Sequence, residues 1–126
     1  MKNISIKGII LGIIAIAIID IIGSISGIFL FAHDMSSESL NAINLNQSFL
    51  LWSLFIGSIS TVIGGFIAAK YGKSSPYKNS SIIGLLGIIV GVLSVGDAPL
   101  WADIAGFLTV IPAALFGGFL VAQKNA

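Results

Sequence analysis

The sequence predicts an all-α protein, a bundle of four transmembrane helices, and three observations carry that prediction. The chain is 56% hydrophobic and only 9% charged over 126 residues, where soluble proteins average about 25% charged. A domain of this size leaves too much surface exposed to hide such a composition from water, so lipid is the expected solvent. The apolar residues fall into four runs separated by short polar breaks. All six lysines, Lys2, Lys7, Lys70, Lys73, Lys78 and Lys124, fall on one side of a four-span arrangement, and Asp34, Glu38 and Asp97 on the other. By the positive-inside rule both termini are expected in the cytoplasm, with the chain in a cytoplasmic or inner membrane.

The whole chain, 1–126, reads as one membrane domain. The first span covers 8–31 with one ionisable residue, Asp20; about 20 apolar residues suffice to cross a bilayer. A cleaved secretory signal, with Ser24 and Ser26 near the cut, is the rival reading of this segment. An outer loop follows over 33–47. Within it Leu40 and Ile43 share a helical face, which suggests a short helix on the membrane surface with Ser36 as its cap. Asn46 is the expected cap of the second span, 48–69, and Trp52 and Trp101 sit where interfacial aromatics belong. A loop over 71–80 leads to a short third span, 81–96. Asp97 and Pro99 then open the fourth span, 100–122, which Pro112 interrupts.

One stretch recurs. Gly64-Gly65-Phe66-Ile67-Ala68-Ala69-Lys70 returns as Gly117-Gly118-Phe119-Leu120-Val121-Ala122-Gln123-Lys124, and Ser5 to Ile10 resembles Ser81 to Leu86. The pattern suggests two helical hairpins related by a parallel internal repeat. Small residues also recur along single helix faces: Gly57, Thr61, Gly65 and Ala69 on the second span, Gly87 and Gly91 on the third, Gly106 and Gly118 on the fourth. Membrane helices associate where such residues let backbones approach. Gly57, Gly64, Gly65, Gly87, Gly91, Gly106, Gly117 and Gly118 are therefore the expected packing positions. A second face on span two, Ser60, Gly64 and Ala68, leaves room for a homo-oligomer or another membrane protein.

The polar residues are few enough to weigh singly. A carboxylate within a span costs on the order of 2.5–3.5 kcal/mol by insertion scales, so Asp20 is expected to face the bundle interior. No lysine lies at its depth, and counting along the helices places Ser58, Ser94 and Thr109 beside it, with Ser24 as a local alternative. His33, Asp34 and Asp103 form a candidate outer vestibule. A lone histidine supplies too few ligands for a metal, no phosphate loop or catalytic triad is present, and cysteine is absent. With a net charge of +1, nucleic acid is not an expected partner and no cofactor is expected. Two functions fit. The first is a non-enzymatic accessory, assembly or immunity-type subunit acting through helix packing. The alternative is a small oligomeric proton-coupled transporter or channel using Asp20.

Overall fold

The structure, a computed structural model, describes residues 4–32, 34–72, 75–96 and 98–125, the side chains of Asn44 and Asn125 apart. It is all-helical among these residues: α1 (Ile6–Phe31), α2 (Ser37–Ala42) running into a 3-10 turn at Ile43–Leu45, α3 (Gln47–Tyr71), α4 (Pro76–Leu93) and α5 (Leu100–Asn125). Four of the helices, α1, α3, α4 and α5, are long and apolar enough to cross a membrane, as the composition of an integral membrane protein requires. Single residues set their starts. The Ser5 side chain accepts the Gly8 N–H at 3.0 Å, and Asn46 Oδ1 accepts the Phe49 N–H at 3.0 Å. Ser36 caps α2 through the Ser39 N–H at 3.2 Å. Each satisfies a first-turn donor that the helix itself cannot.

The third span departs most from the sequence reading. It begins at Pro76 rather than at 81 and ends at Leu93 rather than at 96. Proline suits a first helical position because its missing N–H has no intrahelical acceptor there. Beyond Leu93 the chain turns through Gly96, whose φ of 102° is a left-handed conformation suited to glycine. The Pro99 carbonyl accepts the N–H groups of Ala102 and Asp103 at the start of α5. Asp97, the expected cap, lies outside the described residues.

α3 is the central helix: it packs on α1 and on α5, and less extensively on α4, while α4 packs mainly on α5. Its two small-residue faces explain this. Ser60, Gly64 and Ala68 meet α1, where a Cβ built on Gly64 would strike Ile16 and one on Gly12 would strike the Gly64 carbonyl. Gly65 meets the Ala114 backbone of α5. The face expected to be free for another protein is thus filled within the chain. The two glycine pairs meet each other, but not as equivalents: Gly64 faces α1 and Gly65 faces α5, whereas Gly117 faces the α3 backbone and Gly118 faces Ser80 of α4.

The bundle's two ends differ. Near the lysine-bearing end Ala68, Ala69, Asn79, Ser80 and Ala114 are fully buried. There Asn79 Oδ1 accepts the Ser5 N–H at 2.6 Å, tying α1 to α4, and its amide donates to the Ser75 carbonyl at 2.9 Å. Lys7 lies 5.4 Å over the Tyr71 ring, a cation–π contact. Towards the other end Val90, Val92, Leu93 and Val95 are exposed. The outward isoleucines of α1, such as Ile10, Ile14, Ile18 and Ile22, are exposed too; this is how a span meets acyl chains.

Candidate functional site

Asp20 lies in the middle of α1 on the side turned to α3. Its partner is Ser60, whose hydroxyl donates to Asp20 Oδ1 at 2.7 Å, and not Ser58, Ser94 or Thr109 as expected from depth. The reason is rotation. Ser60 belongs to the face that α1 packs on, whereas Ser58 is turned towards α4 and α5. Ser60 is wholly buried, and its oxygen also lies 3.0 Å from the Gly57 carbonyl. That carbonyl also accepts the Thr61 hydroxyl at 2.7 Å; of the two acceptors within reach of the Ser60 proton, Asp20 Oδ1 is the nearer. Among the described residues every buried side-chain nitrogen or oxygen has a hydrogen-bond partner, as a low-dielectric interior demands.

Three cavities converge on this region. One of about 410 Å³ is walled by α1, α3, α4 and α5, with Asp20, Gly57 and Thr61 as its polar side and Ile13, Ile83 and Val110 among its apolar walls. A second, of about 270 Å³, lies between α3, α4 and α5 and reaches Asp103. A third, of about 240 Å³, lies between α1 and α3 beside Asp20, Ser24 and Ser53. Gly57 lines all three.

Ser58, Ser94 and Thr109 do come together, but in the second cavity, with Asp103 rather than with Asp20. The hydroxyls of Ser94 and Thr109 bond back to carbonyls of their own helices, Val90 at 3.0 Å and Ala105 at 2.9 Å. Asp103 Oδ2 accepts the Gly96 N–H at 3.4 Å. Asp34 instead accepts the Ser36 N–H at 2.8 Å just ahead of α2 and is not among the residues around Asp103's cavity. Of the expected vestibule of His33, Asp34 and Asp103, Asp103 borders the second cavity, and His33 lies outside the described residues. Neither Pro112 nor Leu108, whose carbonyl loses its helical donor to that proline, lines the cavity of Asp20.

The glycines divide into two kinds. A Cβ on Gly65, Gly87, Gly91, Gly117 or Gly118 would come within 3 Å of a neighbouring helix, so these pack as expected, as does Gly64. A Cβ on Gly57 or Gly106 would meet nothing within 4 Å, and both border the cavity of Asp103. They hold space open instead of closing it. Sequence reasoning missed Ser60 as the partner and Trp52 as a bridge: the Trp52 indole N–H donates to the Gly23 carbonyl of α1 at 2.9 Å. Among the described residues no three His, Asp or Glu side chains gather as a metal site would need.

Comparison with family models, with curated proteins and with solved structures finds no match for this chain.

Proposed function

We propose that this chain is a small membrane transporter or channel in which Asp20 takes up a proton or a small monovalent cation. The observation that carries the reading is the cavity of about 410 Å³ that has the intramembrane carboxyl of Asp20 in its wall. A span that uses an acid only as glue would bury it in a packed seam. Here the acid is hydrogen-bonded on one side and borders open space on the other. Such placement is typical of carboxylates on ion pathways. In this reading the chain is two hairpins, α1 with α3 and α4 with α5. The lysine-bearing end, with both termini, faces the cytoplasm.

The experiment is proton-coupled flux in vesicles reconstituted with the purified protein. Asp20→Asn keeps shape and hydrogen bonding to Ser60 but cannot ionise. It is expected to abolish flux while inserting and unfolding like the native chain. Equal flux through the native and Asn proteins would sink the proposal.

The Asp20–Ser60 bond supports a second reading, a non-enzymatic accessory or assembly subunit in which that bond only clasps α1 to α3. Then Asp20→Asn keeps function, and a pull-down from native membrane recovers a partner protein at fixed stoichiometry.

A further inference from the structure

We infer that Asp20 is reached by water from the Asp103 end of the bundle, through a passage that Gly57 keeps open. The cavity holding Asp20 and the cavity reaching Asp103 share the lining residues Gly57, Thr61, Gly87, Val90 and Val110. The two are therefore neighbours across one short stretch of wall. On the α3 side that wall is a glycine whose absent side chain leaves at least 4 Å of free space. Beyond it the route is bordered by Ser58, Ser94, Thr109 and finally Asp103, so polar groups continue from the middle of the bundle towards its outer end. An entirely apolar lining would stay dry, and hydroxyls and a carboxylate are what hold water in a narrow space.

The opposite end offers no such route. A Cβ on Gly8, Gly12, Gly65 or Gly117 would come within 3 Å of a facing helix. Asn79 and Ser80, wholly buried, close what remains. Packing thus closes the interior at the lysine end, and what arrives at Asp20 along the bundle comes from the side opposite the lysines. A route walled by glycine, serine and threonine suits water carrying a proton or a small monovalent cation. The inference rests on the proposed role of Asp20, but its test does not depend on flux.

The chain has no cysteine, so single cysteines can be introduced without further change. Thr61→Cys is placed in closed vesicles of one orientation and treated with a membrane-impermeant, charged methanethiosulfonate. Ile18→Cys, on the lipid-facing side of α1, is the dry control, and Lys124→Cys marks the lysine end. Reaction needs a thiolate, which forms in water and not among acyl chains, so Thr61→Cys is expected to react about tenfold or more faster than Ile18→Cys. It should do so only from the side from which Lys124→Cys is not labelled. Adding Gly57→Leu is expected to slow Thr61→Cys about tenfold while leaving Ser94→Cys, at the far end of α4 in the cavity of Asp103, reactive and so reporting a folded bundle.

Labelling of Thr61→Cys no faster than Ile18→Cys, or from the Lys124 side, overturns the passage. An unchanged rate with Gly57→Leu overturns the role of Gly57. If the passage labels as expected while Asp20→Asn keeps full flux, the passage stands and the transport reading fails. If flux is lost in Asp20→Asn while Thr61→Cys stays unlabelled, transport stands and the passage fails.

Discussion

Ser60 and Ser58 are two positions apart on α3 and face different neighbours. Ser60 donates to Asp20 at 2.7 Å, and Ser58 borders the cavity of Asp103. Interhelical hydrogen bonds in membranes contribute about 0.6–2 kcal/mol. Ser60→Ala is accordingly expected to lower stability by about 1 kcal/mol in detergent-unfolding titrations, and Ser58→Ala to leave it unchanged; the reverse order would discredit the assigned partner. Depth counted along a helix cannot separate the two serines, because it ignores rotation about the axis. The signal was nevertheless present: Ser60, Gly64 and Ala68 recur at every fourth position, and Gly8 and Gly12 recur likewise on α1. Asn79 was harder to place. Amid Lys78, Ser80 and Ser81 it reads as loop, and its carbonyl oxygen takes the Ser5 N–H from across the bundle.

At the scale of the helix, three of the four apolar runs could be read to within three residues at each end, and the third was displaced towards Pro76; lipid demands about 20 apolar residues whatever the tertiary fold. The caps Ser36 and Asn46 were equally readable, since capping is local. The glycine rows were half readable. Gly57 and Gly65 stand in one row of α3, yet Gly65 lies against the Ala114 backbone and Gly57 against nothing. Spacing reports a face, and only the partner's path tells whether that face is covered. The difference is testable with one substitution made twice. Alanine is favoured over glycine within a helix by about 1 kcal/mol, so Gly57→Ala is expected to be neutral or stabilising. Gly65→Ala places its Cβ 2.5 Å from the Ala114 carbonyl oxygen, and backbone cannot yield as a flexible side chain can. It is expected to destabilise clearly in the same titration. Matching effects at the two sites would refute the division between packing and space-holding glycines.

For the molecule as a whole, the asymmetry between ends should appear in its motions. Amide exchange is slowest where backbone is buried by tight contacts. Amides of α4 near Ile83 and of α5 near Gly117 are expected to be protected longest. Those near Leu93 and at the start of α5 should exchange first, as followed by mass spectrometry in detergent. Uniform protection along α4 would argue against a loose half away from the lysines. Composition foretold four helices long and apolar enough to cross a membrane, and charge sorting foretold the described lysines at one end. The division of the interior into a sealed half and an open half was not foretold, because both halves are built from the same glycines, serines and aliphatics.

The brevity of α4 has its own consequence. Its 18 residues rise about 27 Å, whereas the 26 residues of α1 rise about 39 Å at 1.5 Å per residue. The rim of the bundle is therefore notched above Leu93, beside the cavity that reaches Asp103. Headgroups must dip into that notch or the acyl chains must shorten around it, at a cost of fractions of a kcal/mol per ångström. Bilayer thickness then becomes a control on the protein. In vesicles of lengthening acyl chains, hydrocarbon should seal the notch, and the reactivity of Thr61→Cys should fall with each added pair of methylenes.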